Sequence, residues 1–540
     1  MTISSDTLAN NQTIYTAISF APVQGFIEKS RKLRDLFGAS LILSYLSAKL
    51  VDLAKEQGLE VISPGSVDVK EGMPNRILVK GNTNLNRDKV KNTLIMEWGR
   101  ILDKCQAWVE QKVSEEEYHW SQKEEDQGKQ KGEWERWKSY AWEVFWGYGS
   151  TVKDAMEDLE TRKLKRDWIG INWIGESSSL SGTDAIAWHG LGQESDRPWE
   201  WARHQDSVNR FYEQLATALE KSPDGVLLGK FLDPNERLSI PELVKRLVTR
   251  YEDIGRHFGK DFRFDSLSEM VRLPQPDQPG HWTGWFMGDG DSVGDMLKEL
   301  AKNPDDIHPL KTFSNAMRDW GRDFKHGFPD ELGRVIYAGG DDFLGVIYSK
   351  DPKAPIPEQT ALQWLMSLNG QWQAHGQPIT LSVGFVWAGH SVPQRDVLQH
   401  CREAEKRAKA LGKNRVTIRV LFNSGQYVQW TCPWNYLNIL KKYRDRDGRT
   451  SSEANWNHLY SDWATLKARH AIRLEEMEDF TVNKQIAVSV FDLYFDNSAT
   501  EFETKRLWQE LTGDNSAKAI VNWMDDLIQV GWQLCRNSKL

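Results

Sequence analysis

Cysteine is scarce in this sequence. Four residues in 540 (Cys105, Cys401, Cys432, Cys535) lie far apart with no Cys-x-x-Cys pair, which argues against a disulfide framework or a cysteine-built zinc site. The 12 histidines are as dispersed, with no His-Glu-x-x-His and no His-Asp dipeptide, so a histidine-built metallohydrolase has no ligand set. A basic excess is missing too. Lys and Arg number 69 against 77 Asp and Glu, a net charge of −8, so any contact with RNA or nucleotides must be local. No basic region followed by an apolar core opens the chain over 1–12, and no apolar run reads as long enough to span a bilayer. These absences point to a cytoplasmic protein with no membrane partner.

What is present is length, tryptophan and alternation. At 540 residues the chain is too long for one core, and its length suggests about three to four domains. The 25 tryptophans imply large packed surfaces and partners but name no chemistry.

The stretch Val335-Ile336-Tyr337-Ala338-Gly339-Gly340-Asp341-Asp342-Phe343-Leu344-Gly345-Val346-Ile347-Tyr348 places two β-branched and aromatic runs around two glycines and two carboxylates. That is a β-hairpin signature with glycines where positive φ is needed. By itself Gly-Gly-Asp-Asp is equally ordinary turn chemistry. Upstream, Trp285-Phe286-Met287-Gly288-Asp289-Gly290-Asp291 is a short apolar strand ending in Asp-Gly-Asp. If the two strands are neighbours, Asp289, Asp341 and either Asp342 or Asp291 converge, a hard oxygen set suited to Mg²⁺ or Mn²⁺ bound with substrate phosphates.

Read in order, a polar tail (1–12) precedes a strand over 14–20 and a helix opened by Pro22 and Val23. A second apolar helix covers 41–50. Arg31, Lys32 and Arg34 between them fit either a phosphate contact or a solvated helix face. A strand over 75–80 and a long amphipathic helix over 88–113 follow. Residues 114–140 form a charge-dense insertion, expected to be helical and exposed. There Trp134, Trp137 and nearby Trp142 either stack on bases or pack on a helix face. From 167 to 197 Gly, Ser and Trp displace the helical pattern, which marks a domain change. Helices over 209–220 and 241–250 and a linker over 274–280 lead to the Asp289 strand. Helix, hairpin, helix (359–373), strand (379–387), helix (393–411) and strand (416–422) then alternate as a palm-like α+β layer. Beyond 433 the pattern is mostly amphipathic helix.

The order is more specific than any one piece. Asp-Gly-Asp precedes Gly-Gly-Asp-Asp, then Leu381-Ser382-Val383-Gly384, then Ala404-Glu405-Lys406-Arg407-Ala408-Lys409-Ala410-Leu411-Gly412-Lys413-Asn414-Arg415-Val416. This resembles the nucleotide-polymerising palm shared by GGDEF-type diguanylate cyclases and the large subunit of type III CRISPR effector complexes. Three further stretches are similar to the Cmr-type (type III-B) large subunit: Ile18 to Ile27 with Arg34-Asp35-Leu36 and Gly38-Ala39-Ser40; Glu236-Arg237-Leu238 with Leu243 to Leu247; and Phe264 to Val271.

The resemblance implies an α+β multidomain fold with two palm (ferredoxin-like, GGDEF/cyclase-like) domains. The first would cover 13–165 with its charged Trp-rich insertion, then a middle domain 166–280, a catalytic palm 281–425 and a C-terminal helical domain 426–540. Family members often begin with an HD nuclease domain. Here the sequence starts almost at the first palm, which implies no DNA cleavage by this subunit. Many carry a cysteine zinc site in the middle domain; the corresponding Glu176-Ser177-Ser178-Ser179-Leu180-Ser181-Gly182 has no such ligands, so no zinc is expected.

The activity implied is synthesis of cyclic oligoadenylate from ATP, switched on by target RNA in a complex with guide RNA and other Cmr-type subunits. Asp289 and Asp341 are the first-choice metal ligands, with the Gly290 carbonyl, Asp342 and Asp291 behind them. Catalysis would rest on Asp289, Asp341 and Asp342. Gly339 and Gly340 let backbone approach the triphosphate. Lys409 and Lys413, four residues apart, would present both ammonium groups to phosphates from one helix face, or simply form a solvated C-terminal turn favoured by the helix dipole. Ser40 and Arg34 are the acceptor-ATP candidates of the first palm. Competing readings are a diguanylate cyclase, transfer of AMP to another small molecule such as S-adenosylmethionine, and a catalytically inactive scaffold for guide RNA and sister subunits.

Overall fold

The computed structural model describes residues 13–536 except 115–117, 119, 121–131, 166–169, 172–174, 192–200, 221–230, 234, 264–269, 271, 275–279, 304–306, 352, 451–453, 475–479, 496–504 and 515. The polar tail, most of the charged insertion, nearly all of the 264–271 stretch and the centre of the 274–280 linker lie outside the described residues. The chain divides into two compact units, Met1–Glu269 with Asp295–Arg318, and Met270–Gly294 with Asp319–Leu540.

In the first unit the elements run β1 (Ile14–Ala21), α1 (Val23–Glu28), α2 (Leu33–Glu56), β2 (Glu60–Ser63), β3 (Arg76–Gly81), α3 (Arg87–Lys112), α4 (Glu133–Tyr140), β4 (Glu143–Gly149), α5 (Val152–Lys163), α6 (Trp201–Leu219) and α7 (Ile240–Val248). The four strands form one sheet in the order β2-β3-β1-β4, with β1 antiparallel to both neighbours. Alternation along β1 decides what each face meets. Ile18 and Phe20 point into a core shared with α2, α3 and α7, while Tyr15 and Ala17 meet Val152, Ala155, Met156 and Leu159 of α5.

Two expectations need correction here. Helix α2 is long and apolar enough to cross a bilayer, but 83% of its most apolar window is buried in the fold, so its hydrophobicity serves the core. The insertion was expected to be exposed, yet Trp134 is 2% and Trp142 6% exposed. Trp142, in the link between α4 and β4, packs edge-on against Trp98 of α3 and Phe20 of β1, because an indole is worth more against apolar neighbours than in water. The Ser177–Gly182 stretch is a hydrogen-bonded turn, with the Ser178 hydroxyl donating to Glu242 at 2.5 Å.

In the second unit the order is β5 (Thr283–Gly290), α8 (Val293–Leu300), α9 (His308–His326), β6 (Gly333–Ala338), β7 (Asp342–Ile347), α10 (Glu358–Gln373), β8 (Leu381–Ala388), α11 (Gln394–Ala410), β9 (Arg415–Leu421) and β10 (Tyr427–Pro433), residues 295–318 being grouped with the first unit. Helix α9 carries no strong sequence boundary and was not anticipated. Nor was β10, whose residues the sequence reading counted with the C-terminal helices; it pairs antiparallel with β9 from Tyr427↔Leu421 to Pro433↔Arg415. The sheet order is β10-β9-β8-β5-β7-β6, with only β8 and β9 parallel among its pairs. One face is lined by an aromatic cluster in which Phe286 and Phe343 meet Trp320, Phe324, Trp364 and Trp372. Beyond the sheet come α12 (Trp456–Ala468), α13 (Thr481–Tyr494), α14 (Lys505–Thr512) and α15 (Ala517–Cys535). Trp523 of α15 donates to the Thr431 carbonyl of β10 at 2.9 Å. All four cysteines are buried free thiols.

Candidate active site

The second sheet brings its carboxylates together by register. On β5, Asp289 lies opposite Asp342 of β7 on one side and Ser382 of β8 on the other. The β6–β7 turn places Asp341 beside them, and the Gly290 N–H donates to the Asp341 carbonyl at 2.7 Å, tying the Asp-Gly-Asp strand end to the Gly-Gly-Asp-Asp turn. Gly340 adopts φ 136°, a left-handed conformation that a side chain resists, so this glycine is demanded by the turn itself. On β8, a Cβ at Gly384 would collide with the backbone of Cys401 and Glu405. The missing side chain lets α11 settle against the sheet and carries Glu405 and Lys409 to the carboxylates.

Lys409 Nζ bonds Asp289 Oδ2 and lies 2.7 Å from Glu405 Oε1. Burial opposes the charge on Lys409, but Asp289 and Glu405 more than offset that and hold its pKa above the ordinary value. Asp342 shows the opposite imbalance. Burial, then the charges of Asp341 and Asp289, push its carboxyl up to about 8, with Lys409 relieving only part. The Tyr337 hydroxyl on β6 is driven up by burial and by Asp342, Asp289 and Glu405. A cluster this short of positive charge fits a hard divalent cation, whose charge would hold Asp342 ionised. Among the described residues no group of three or more His, Cys, Asp or Glu side chains is arranged to hold a metal. A Mg²⁺-type ion shared with substrate phosphates needs only one or two carboxylates and keeps several waters.

Asp291 is placed differently from the metal-ligand role considered for it. Its Oδ2 accepts from the Thr380 hydroxyl at 2.8 Å and the Asn414 N–H at 2.9 Å, and its Oδ1 from the Ser382 hydroxyl at 2.7 Å. With 4% exposure and hydrogen bonds on both oxygens, it pins the loop after β5 to β8 and to the start of β9. The single-face picture of Lys409 and Lys413 is also corrected. The helix ends at Ala410, and Gly412, Lys413 and Asn414 all have positive φ, so Lys413 leaves the helix face and donates to Ser292 Oγ at 2.6 Å.

Arg34 and Ser40 lie on α2 of the first unit, 9% and 8% exposed. The Arg34 guanidinium stacks 3.7 Å over the Phe231 ring. Glu405, Ser382 and Asn414 sit in stretches the sequence reading quoted without assigning them roles. The one available signal was the four-residue spacing of Glu405 and Lys409, a favourable helix pair.

A family model described as Cas10/Cmr2, second palm domain, matches residues 283–417, and one described as CRISPR-associated protein Cmr2, N-terminal, matches residues 15–103. The chain belongs to the Cas10/Cmr2 family of large CRISPR subunits. The Cas10/Cmr2 palm match spans β5 through the first residues of β9 and contains every carboxylate of the cluster. Among solved structures, the chain is similar to the apo state of a type III-B Cmr-beta complex (12% identity, 96% of this chain and 82% of that one, TM-score 0.57). It is also similar to a Csm1-Csm4 cassette in complex with one ATP (14%, 97% and 70%, TM-score 0.47) and to Csm1 of T. onnurineus (13%, 97% and 70%, TM-score 0.46). At 12% identity and a TM-score of 0.57 the likeness to the Cmr-beta structure is one of fold. No curated protein matches the chain.

Proposed function

We propose that this Cas10/Cmr2 chain is the nucleotide-polymerising subunit of a type III CRISPR effector, making cyclic oligoadenylate from ATP with Mg²⁺ or Mn²⁺. The observation that carries this reading is the register-locked pair Asp289↔Asp342, with Asp341 in the adjoining turn and Asp342 pushed up to about 8 by burial and by the charges of Asp341 and Asp289. In this reading both sheets are palms, the second of them catalytic. One or two of Asp289, Asp341 and Asp342, with the Gly290 carbonyl, would hold the cation. Bound there, it would neutralise charge on the attacking and leaving oxygens as a 3′-hydroxyl displaces pyrophosphate from an α-phosphate.

The chain's own groups do the rest. The Gly339-Gly340 turn lets main chain approach the triphosphate, and Asp291 holds the loop that presents Asp289. Lys409 keeps Asp289 paired in the absence of a cation and would turn to phosphate when one binds. Guide RNA, target RNA and other Cmr-type subunits are its partners, in the cytoplasm, with target RNA as activator.

The Lys409–Asp289 pair favours one other reading, a scaffold in which the ammonium permanently takes the cation's place. Product analysis by mass spectrometry decides. The assembled complex, target RNA, ATP and Mg²⁺ or Mn²⁺ should yield cyclic oligoadenylate, lost in Asp341→Ala plus Asp342→Ala. No ATP turnover leaves the scaffold. GTP-derived product would point to diguanylate cyclase chemistry, and product requiring S-adenosylmethionine to AMP transfer.

A further inference from the structure

Lys409 stands between two carboxylates of unequal access. Its ammonium bonds Asp289 Oδ2 and lies 2.7 Å from Glu405 Oε1. The Lys409 and Asp289 side chains are 32% and 33% exposed, whereas Glu405 is 9% exposed. The Asp289 contact is therefore open to an ion arriving from solvent, and the Glu405 contact is sheltered. Glu405 precedes Lys409 by one helical turn on α11, and a Cβ at Gly384 would come within 2.6 Å of the Glu405 main-chain nitrogen. That close seating of helix on sheet fixes Glu405. An ammonium released from Asp289 thus keeps a charge-assisted bond at Glu405 and stays at the site. Lys413 is engaged elsewhere, donating to Ser292 Oγ at 2.6 Å.

We propose that Lys409, anchored by Glu405, couples the two ligands of this site, so that the divalent cation and the nucleotide triphosphate each bind tightly only with the other present. This coupling rests on the cation and ATP reading above and adds to it the way the site fills. Lys409 and a divalent cation compete for the Asp289 carboxylate. With no phosphate at hand, displacing the ammonium leaves its positive charge beside the incoming cation, a repulsion that a half-buried site screens poorly. A triphosphate removes that cost, because the ammonium passes from carboxylate to phosphate while Glu405 retains it. The exchange leaves Asp289 to the cation, in the arrangement of carboxylate, phosphate and water oxygens that such ions favour. Coupling of this kind is reciprocal. Whatever factor the nucleotide adds to cation affinity, the cation adds to nucleotide affinity.

The test is a pair of titrations on the full chain. Mn²⁺, followed by the EPR signal of the free ion with no nucleotide present, should bind about tenfold tighter to Lys409→Met than to the unaltered chain, a factor usual for coupled sites. A fluorescent α,β-methylene-ATP, which keeps the triphosphate but not the oxygen the reaction would release, should bind about tenfold weaker to the same variant at saturating Mg²⁺. Glu405→Gln should weaken both, since the ammonium then falls to Asp289 alone of its two carboxylates. One substitution that moves two affinities in opposite directions is not the mark of a damaged fold, and Lys409→Gln replaces Lys409→Met if the latter melts early. Equal Mn²⁺ affinity in the lysine variant and the unaltered chain overturns the coupling; the ATP reading then stands if Asp341→Ala plus Asp342→Ala abolishes Mn²⁺ binding. Mn²⁺ binding that survives that double change, or no binding of Mn²⁺ or of the analogue to any form of the chain, overturns both.

Discussion

Asp35 and Glu236 in the first unit meet Arg246 at 2.7 and 2.6 Å, with none of the three side chains more than 3% exposed. Asp35 also accepts the N–H groups of Arg31 and Lys32 at 2.8 and 3.0 Å, and Lys32 Nζ lies 3.5 Å from Glu236. Burial penalises both carboxyls, yet Arg246 outweighs it and holds both below the ordinary carboxylate range. In the second unit Lys409 pairs with Asp289 and Glu405, Asp342 lies across from Asp289, and Asp342 is left at about 8 by burial and by the charges of Asp341 and Asp289. The first cluster is closed by its own cations and joins α2 to α7. The second is incomplete as a set of charges, the condition expected of a site that awaits a cation. An acidic cluster is therefore informative by how far its charge is balanced, not by how many carboxylates it holds.

The comparison breaks most directly at the second cluster. Asp341→Ala plus Asp342→Ala should lower ATP turnover by the assembled complex by about two to three orders of magnitude, comparable to deleting a charge-stabilising group, while the urea midpoint holds or rises. A fall in stability instead would make this cluster structural like the first. Arg246→Met should do the reverse. It leaves Asp35 and Glu236 buried without their partner and should cost about 3–5 kcal/mol in urea unfolding of the full chain.

pH separates the two clusters by sign. Asp342 has a folded pKa raised above its unfolded value. Its contribution is thus fully present below about pH 4, in the usual carboxylate range, and is lost as pH climbs through about 8. Asp35 and Glu236 are lowered, so their contribution is present above the usual carboxylate range and lost as pH falls. In chelator, the stability advantage of Asp342→Asn over the unaltered chain should therefore grow from pH 6 to pH 9, read from melting temperatures; a constant difference would refute the raised pKa. The smallest expected effect is at Ser382. Ser382→Ala removes one hydrogen bond to Asp291 and should cost about 1 kcal/mol, with turnover reduced only as far as the Asp289 loop loosens.

Much of the site was legible before folding. The Asp-Gly-Asp strand end, the Gly-Gly-Asp-Asp turn and the strand–helix alternation around them are local patterns, and β5, β7, β8, α10 and α11 form where alternation and helical spacing place them. The quoted Arg34-Asp35-Leu36 and Glu236 to Arg246 stretches were visible as motifs but silent as to purpose. Their convergence on one buried ion cluster spans 211 residues between Asp35 and Arg246. Spacing along the chain also misled at Lys413, where Gly412 ends the helical register that would have aligned it with Lys409.

The sequence by itself determined which residue types stand at each turn and strand end, because local backbone preference and side-chain alternation act over a few residues. Only tertiary structure decided which carboxylates meet which cations. Cross-strand register set Asp289 against Asp342, the absent side chain at Gly384 admitted α11 with Glu405 and Lys409, and three hydrogen bonds turned Asp291 to the loop. Charge balance in a fold is fixed by distances across elements, and those distances are written nowhere in the order of residues.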